Sequence, residues 1–536
     1  MSQTTRPAPA LRAAAPITAD AATMRTAASE RRRWLTLVVL CIGQLMIVLD
    51  VTVVNVALPA IQHDLGFSQS SLAWVVNSYL ISFGGLLLLA GRVGDLVGRR
   101  TVFLGGVVAF TAASLLCGVA TSQELLIGAR FVQGMGAAVL ASMVLAVLVT
   151  VFPEPRETAK AMSIYAFVAS AGGSIGLLVG GLVTQAVSWH WIFFINIPIG
   201  LFVLVFGWML LPRDTGAGLH HGVDVAGGIL VTATPSLAVY AIIQAGENGW
   251  VSLRTLVLGI GTVVLLGAFL AREATAPTPL VPLRVFRSRT LVGANLLRAL
   301  FPVGLFGTFF LGVLYMQHVL GYSALKTSMA FLPQTLTVGT FSLLLTRRLV
   351  VRFGARAVLM TGLASTTLGL LLFAHAPVGG SYLTDVLPVT LLIGAGGGLI
   401  FMPSTTLAMA GVARSEVGLA SGLANVALQI GAAVGVAVLA SLSSAHTAAL
   451  VASGTSPVAA LTAGYHLGFL VAAGCVATAI LVTALVLRPQ PPGRTDEADS
   501  GGHSRHSLSR PVRRAAAVAS AVERPDGELV GAGHRA

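Results

Sequence analysis

The sequence has little charge. Charged side chains make up 10% of the 536 residues, whereas soluble domains carry about a quarter. Hydrophobic residues make up 55% of the chain, and the mean hydropathy is +0.86. This scarcity of charge excludes a soluble globular protein and indicates a polytopic membrane protein.

Cysteine and lysine are also scarce. The three cysteines, Cys41, Cys117 and Cys475, lie in apolar stretches without metal-ligand spacing, so we interpret them as small packing residues and not as a disulfide or metal set. The two lysines, Lys160 and Lys326, do not follow the glycine-rich turn of a P-loop, which excludes ATP-driven transport within this chain. The histidines are scattered, which argues against a membrane-embedded enzyme.

Apolar stretches of about 20 residues recur along the chain, and each is long enough to cross about 30 Å of hydrocarbon as a helix. We therefore predict an all-α polytopic membrane protein with fourteen spans. They cover residues 35–59, 72–90, 102–120, 124–151, 162–187, 192–211, 225–245, 252–271, 291–317, 326–346, 357–376, 387–411, 417–444 and 466–487.

The basic residues favour one side of these spans. If the N-terminus is cytoplasmic, 29 of the 33 Lys and Arg residues lie in the tails and in the loops of that side. Only Arg254 and Lys326 fall in opposite loops, while Arg130 and Arg298 lie within spans. This bias is the positive-inside rule. It predicts a protein of the cytoplasmic membrane with both termini cytoplasmic, and it explains the net charge of +13 without nucleic-acid binding.

The chain contains an internal repeat. The loop GRVGDLVGRR at 91–100 aligns with RRLVVRFGAR at 347–356. Two glycines of span five recur at the same spacing in span thirteen, as Gly172 and Gly176 in the first case and Gly431 and Gly435 in the second. Similar halves packed around a midplane site are a standard plan of transporters.

The repeat and the composition predict five regions. Disordered cytoplasmic tails, which lack apolar periodicity, cover 1–33 and 488–536. A first six-helix bundle covers 34–211, two inserted helices with their linkers cover 212–290, and a second six-helix bundle covers 291–487.

Four motifs carry a family resemblance: LDVTVVNVALP at 49–59, GRVGDLVGRR at 91–100, LIGARFVQGMGAA at 126–138 and GGSIGLLVGG at 172–181. With them the chain resembles the major facilitator superfamily and, within it, the fourteen-span drug:proton antiporter family, over roughly residues 34 to 487. The resemblance implies two six-helix bundles with two inserted central helices. It also implies export of amphipathic drugs or an antibiotic in exchange for protons, by a monomer that needs the proton gradient and no cofactor.

The sequence departs from the family patterns at three positions. Leu96 replaces an Arg in the loop motif, Leu177 replaces a Pro in the span-five motif, and His190 replaces an Arg in WHWIFFINIPIG at 189–200. The first change removes an expected ion partner between helices, and the second removes an expected kink.

Asp50 is the only acidic residue deep in any predicted span, and Arg130 is the Arg that the resemblance links to proton coupling. Their predicted depths below the same face are similar, so we expect a water-accessible Asp50–Arg130 neighbourhood beside a central cavity. Because burial disfavours a charged carboxylate and a nearby guanidinium favours it, changing surroundings would switch its proton affinity. Two alternatives remain: Asp50 bonds only Thr52, Asn55 or another helix, or Arg130 is a structural partner near Glu124.

The loop motif supplies candidate gating residues. Asp95 is expected to cap the N-terminus of span three or to pair with an Arg, and glycines allow a tight turn; the alternative is that the arginines only enforce topology. The gating candidates are Gly91, Arg92, Asp95, Gly98, Arg99 and Arg100. In span five, Gly172, Gly176, Gly180 and Gly181 form a smooth stripe for a sliding or packing helix.

Polar residues inside the spans are candidates for the substrate pathway. They are Asn55, Asn77, Gln133, Asn295, Arg298, Gln317, Asn425 and Gln429. Each is also explained by a hydrogen bond between or within helices, and Arg298 also by an anionic substrate group or a structural pair. Export of another solute, such as a lipid precursor or amino acid, and a non-transporting sensor are the alternative functions.

Overall fold

A computed structural model describes residues 17–214, 216, 218, 224–277, 279–409 and 417–486. Within these ranges the protein is all-helical, and 14 helices are long and apolar enough to cross a membrane. The predicted fold class and number of spans are therefore confirmed. The ends of predicted spans twelve and fourteen, residues 1–16 of the predicted N-terminal tail and all of the predicted C-terminal tail lie outside the described residues.

The helices match the predicted spans closely. Spans 1 to 8 are formed by Ile17–Leu65, Ala73–Val97, Arg99–Gly118, Gln123–Val151, Pro155–Ala186, Trp191–Phe194 with Asn196–Leu210, Val225–Asn248 and Leu253–Thr275. After the short helix Leu283–Arg287, spans 9 to 14 are formed by Arg289–Leu314 with Tyr315–Val319, Ala324–Thr340 with Phe341–Leu345 and Thr346–Phe353, Ala355–Phe373, Tyr382–Val386 with Leu387–Met409, Val417–Ala452 and Pro457–Val486. The first helix begins at Ile17, inside the segment for which composition predicts disorder.

Several spans begin at serine caps that the sequence places just before an apolar run. Ser122, Ser252, Ser288 and Ser323 each accept a hydrogen bond from the backbone N–H three residues later. These bonds satisfy N–H groups that have no partner inside the helix. The caps therefore fix where spans 4, 8, 9 and 10 begin.

The two halves repeat each other in three dimensions. Gly98 separates spans 2 and 3 with φ +114°, and Gly354 separates spans 10 and 11 with φ +83°; only glycine adopts such a backbone without strain. Two residues later, Arg100 donates to a carbonyl in the last turn of span 6, and Arg356 donates to one near the end of span 14. The loop repeat found in the sequence is thus also a repeat of contacts.

The paired glycines of spans 5 and 13 also have equivalent positions. Gly172 and Gly176 pack against span 1, so closely that a Cβ at Gly172 would lie 2.9 Å from the side chain of Leu45. Gly431 and Gly435 pack in the same way against span 9. Each half therefore uses small residues to bring its fifth helix against its first.

The inserted helices attach to the rest of the protein through span 7. Thr232 of span 7 lies against Gly85 of span 2, and Ser441 of span 13 donates to the carbonyl of Ile242 at 2.9 Å. Span 8 packs on span 7. None of the residues in its 18-residue apolar stretch is buried. Its apolar side chains therefore face lipid.

We call the membrane face where span 1 begins and span 6 ends the basic face. There Arg32 contacts the carbonyls of Met209 and Leu210 at 3.3 Å. The face on which spans 5 and 10 meet near Gln185 is called the opposite face.

Candidate functional site

A buried ion pair joins spans 1 and 4. Nη1 of Arg130 donates to Oδ2 of Asp50 at 2.5 Å, and the two residues are 1% and 0% exposed. The predicted match in depth between these residues is therefore confirmed. Because an unpaired charge in a span is costly, each side chain stabilises the other here.

Other side chains complete the shell around the carboxylate. Gln133 on span 4 donates to Oδ1 of Asp50 at 2.7 Å, and Asn196 on span 6 donates to the same oxygen at 3.1 Å. The amide nitrogen of Gln133 also contacts Ser114 on span 3 at 2.7 Å. Asp50 thus links span 1 to spans 4 and 6, and through Gln133 to span 3.

The guanidinium of Arg130 has a matching shell. Its Nε donates to the carbonyl of Val75 on span 2 at 3.0 Å, and its Nη1 donates to Oε1 of Gln133 at 2.7 Å. The ring of Tyr79 lies 4.4 Å from the guanidinium carbon, which is within cation–π range. Five helices, spans 1 to 4 and 6, therefore contribute to one network with a single positive and a single negative charge.

The simpler local alternatives do not describe this site. Thr52 and Asn55 donate to carbonyls of their own helix and not to Asp50. Arg130 pairs with Asp50, and Glu124 is not among its partners. The geometry fits the alternative in which Asp50 bonds another helix, and Arg130 is its main partner.

A cavity of about 1010 Å³ lies between the halves and reaches the basic face. Its walls mix apolar side chains, including Phe83 and Leu87, with polar ones, including Gln44 and Tyr165, which contact each other at 3.0 Å. Asp50 and Arg130 do not line it. The expectation of a water-accessible pair beside the central cavity is therefore wrong for this conformation, because the pair faces the interior of the first half.

The predicted substrate-pathway residues are mostly elsewhere. Asn425 lines the cavity. The cavity lining does not include Asn55, Asn77, Gln133, Asn295, Arg298, Gln317 or Gln429. Gln133 belongs to the ion-pair network instead, while Asn55 and Asn295 donate to carbonyls of their own helices.

The remaining candidates hold the halves together or stay inside one half. Gln317 on span 9 donates to the carbonyl of Val56 on span 1 at 3.0 Å, and Gln429 packs against Gly84 of span 2. Arg298 donates to Thr405 within the second half. Asn77 is buried, and neither its amide oxygen nor its amide nitrogen has a partner among the described residues.

Four of the gating candidates, Gly91, Arg92, Asp95 and Arg99, line the cavity at the basic face. Asp95 pairs with Arg99 at 3.0 Å, and Arg99 also donates to Thr150 of span 4 at 2.6 Å. The predicted cap at span 3 is provided by another residue. Asp214 accepts the backbone N–H groups of Arg99 and Arg100 at 2.6 and 3.1 Å.

Leu96, which replaces an Arg of the family motif, is buried. His190, the other replacement of an Arg, stacks on Trp189 with ring centroids 3.7 Å apart. Leu177, in place of a Pro, is buried in a helix that runs without interruption from Pro155 to Ala186. The hydrogen-bonded helix is therefore continuous past the position where the family pattern has a proline.

Sequence reasoning missed four members of the sites. Ser114, Tyr79 and Asn196 belong to the ion-pair network, and Asp214 caps span 3. Asn196 had a usable signal, because it is the only amide in the otherwise apolar span 6. Ser and Tyr side chains are common in spans, so the sequence contained no signal that singled out Ser114 or Tyr79.

Contacts between the halves extend to the opposite face. Ser174 of span 5 donates to Thr335 of span 10 at 2.8 Å, and a Cβ on Gly181 would clash with Ser328. Together with the contact of Gln317, these interactions hold the opposite face closed. The cavity of about 1010 Å³ is thus on the basic side of the closed contacts.

Comparison with known proteins agrees with this architecture. The sequence-family model of the Major Facilitator Superfamily matches residues 40–436 of this chain. The chain is 40% identical to the puromycin resistance protein pur8 of Streptomyces alboniger over 488 residues, covering 90% of this chain and 96% of that protein. It is 37% identical to the cephamycin export protein CmcT of Amycolatopsis lactamdurans, covering 85% and 94%, and 37% identical to the lincomycin resistance protein of Streptomyces lincolnensis, covering 78% and 85%.

Solved structures share the fold. The POT family transporter PepTSo aligns with a TM-score of 0.62 at 15% identity, covering 85% of this chain and 98% of that one. The nucleoside transporter NupG aligns with a TM-score of 0.58 at 11% identity, covering 85% and 100%. At such identities the likeness concerns the fold alone.

Proposed function

The chain belongs to the Major Facilitator Superfamily, and we propose that it works as a proton-coupled antiporter that exports antibiotics or amphipathic drugs by alternating access. The antibiotics in the names of its relatives support the substrate class. The basic face is proposed as the cytoplasmic face, so that the cavity loads from the cytoplasm or the inner leaflet. As a superfamily member the chain is a transporter and not an enzyme.

The observation that best supports the proton-coupling proposal is the buried ion pair of Asp50 and Arg130. Protonation of Asp50 would leave Arg130 without its counter-charge in a buried site, which is strongly unfavourable. The first half would then rearrange so that Arg130 finds another partner or water. Proton binding is thereby linked to a change of conformation.

The contacts of span 1 offer a route for that change to reach the second half. Thr52 and Val53 of span 1, two and three residues after Asp50, lie against Gly176 and Gly180 of span 5. Span 5 in turn meets span 10 through Ser174. A shift of span 1 would therefore move the interface between the halves without direct contact between proton and drug.

The cavity supports an amphipathic substrate. Phe83 and Leu87 offer apolar surface, whereas Gln44 and Asn425 offer hydrogen bonds. Such a mixture, mostly apolar with a few polar groups, is typical of small-molecule sites. Because Asp50 lies outside the cavity wall, we propose that the drug and the proton occupy different sites in one monomer.

A single proton site limits the stoichiometry. Exchange of one proton for a monovalent cation would be electroneutral, whereas exchange for a neutral drug would carry net charge. Voltage dependence of transport, measured in proteoliposomes with a potassium diffusion potential, separates these two substrate classes.

The test of the proposal replaces Asp50 by Asn. In inverted vesicles, puromycin accumulation driven by a pH gradient, normalised to the amount of protein, is expected to fall to background because Asn does not titrate. Asp64→Asn is the matched control. Asp64 lies on the same helix and accepts from Trp189 at 2.8 Å, a bond that Asn can keep, so this variant should retain transport.

The outcomes are distinct. Full transport by Asp50→Asn contradicts the role of Asp50 in coupling but not export itself. Export by neither the wild type nor the control, across puromycin, lincomycin and cationic dyes, contradicts the drug-export proposal.

A further inference from the structure

A second pocket lies apart from the central cavity. It is on the basic face, where spans 1 and 3 start and spans 4 and 6 end. Its volume is about 820 Å³. Four arginines line it: Arg32 and Arg33 from span 1, Arg100 from span 3, and Arg213 from the segment after span 6. None of the described residues in its wall is acidic.

The positive charge of the pocket is only partly balanced. Arg33 pairs with Glu157. Arg32 and Arg100 are held by backbone carbonyls in the last turn of span 6, which orient the guanidinium groups but do not neutralise them. The Nε of Arg100 is shielded from solvent and has no acceptor among the described residues.

Because the pocket lies where spans end, it falls at the boundary at which lipid headgroups are expected. It is bounded by the start of the membrane-crossing part of span 1, which covers Glu30–Leu65, by the first turn of span 3 and by the last turns of spans 4 and 6. Trp208 and Met209, in the last turn of span 6, are 62% and 56% exposed. Apolar side chains with this exposure at the end of a span face acyl chains, and Trp is enriched at this boundary.

From this arrangement we propose that the pocket binds the phosphate of an anionic phospholipid, with Arg32, Arg100 and Arg213 around the headgroup and acyl chains along Trp208 and Met209. Basic pockets between spans on the positive side recognise such headgroups, and each Arg near the surface contributes about 1 kcal/mol. Free phosphate would satisfy the same arginines, but it would leave the exposed apolar wall unused.

A bound lipid would connect elements that the proposed transport cycle moves. Its phosphate would join the start of span 1 to the segment after span 6, beside Arg100 of the gating loop. The lipid would therefore brace the first half at the basic face, and the site does not depend on which solute is transported.

The test compares two charge-matched variants of the full chain. Arg32→Gln with Arg213→Gln removes two pocket charges, and Gln at position 32 keeps a donor for the carbonyls of span 6. Arg347→Gln with Arg348→Gln removes two charges from the equivalent loop of the second half. Native mass spectrometry of the detergent-solubilised proteins, titrated with phosphatidylglycerol or phosphatidylcholine, measures the retained lipid.

The wild type is expected to retain phosphatidylglycerol in preference to phosphatidylcholine. The pocket variant should bind phosphatidylglycerol about 25-fold more weakly, the effect of two arginines, and the control should change less than twofold. If the double pocket variant is misfolded by circular dichroism, Arg213→Gln alone carries the test, with a loss of about fivefold.

Three results would overturn the proposal. One is equal binding of the two lipids by the wild type, and another is the same loss in the pocket and control variants. The third is displacement of phosphatidylglycerol by inorganic phosphate at millimolar concentration, which would identify the pocket as a site for a free anion.

Discussion

At the scale of single residues, Asp50 and Arg130 show how charges persist inside an apolar bundle. The carboxylate accepts from Arg130, Gln133 and Asn196, and the guanidinium also donates to a backbone carbonyl. With one charge of each sign and these partners, the site as a whole is neutral and hydrogen-bonded. Such a site is stable when complete and unstable when one charge is removed.

This asymmetry predicts the result of a double-mutant cycle. Asp50→Asn alone should lower the free energy of unfolding by about 3–5 kcal/mol because it leaves a buried guanidinium without a counter-charge. Adding Arg130→Gln should recover most of that loss while transport stays absent. Thermal unfolding in detergent measures the stabilities, and additive effects of the two substitutions would show that the pair is not energetically coupled.

The ion pair could be predicted from the sequence, but most of the cavity could not. An acidic and a basic side chain at similar depth in apolar helices have few other partners, so their pairing follows from cost. Amides carry no such constraint. Asn55 and Asn295 bond carbonyls one turn earlier in their own helices, and the sequence does not distinguish this from a position in the cavity.

At the scale of helices, the glycines of span 5 differ in what they contact. A Cβ at Gly180 would lie 2.8 Å from the backbone of Val53, whereas a Cβ at Gly173 would meet nothing within 4 Å. Gly180 is one of the four motif glycines and Gly173 is not, and the packing against span 1 agrees with this division.

Gly180→Ala is therefore expected to force spans 1 and 5 apart and to reduce the rate of drug transport at least tenfold. Gly173→Ala, in the same motif, should leave transport within twofold of the wild type. Transport in proteoliposomes, normalised to reconstituted protein, provides the comparison. Equal rates for the two variants would contradict a role for the close contact.

Helix ends were predictable to different degrees. Serine caps mark the beginnings of spans 4, 8, 9 and 10, where the sequence offers Ser directly before an apolar run. The cap of span 3 comes from Asp214, more than one hundred positions away along the chain. A side chain so distant is brought there by the fold, and local sequence contains no sign of it.

At the scale of the whole molecule, the halves touch toward the opposite face and enclose a cavity toward the basic face. Gln317 of span 9 is one of the few polar links in that closed region, through its hydrogen bond to the carbonyl of Val56 at 3.0 Å. It lies in the π-helical segment Tyr315–Val319. Such segments often occur at functional positions in helices.

Gln317→Leu should weaken closure of the opposite face. Loss of one hydrogen bond worth about 1 kcal/mol shifts the balance between conformations about fivefold toward opening on that side. The backbone N–H of Leu325 donates to Oε1 of Gln185 at 3.3 Å, and spin labels at these two positions report the change as a longer distance in pulsed electron resonance. An unchanged distance distribution would show that this bond does not hold the gate.

The attachment of the inserted helices has a consequence for how such chains gain or lose length. Span 8 faces lipid and span 7 carries the contacts to the two halves. Because every helix reverses the direction of the chain across the bilayer, losing span 8 alone would insert the entire second half upside down. Removal of both helices preserves parity, so spans 7 and 8 can be gained or lost as a pair while the orientation of all later helices is maintained.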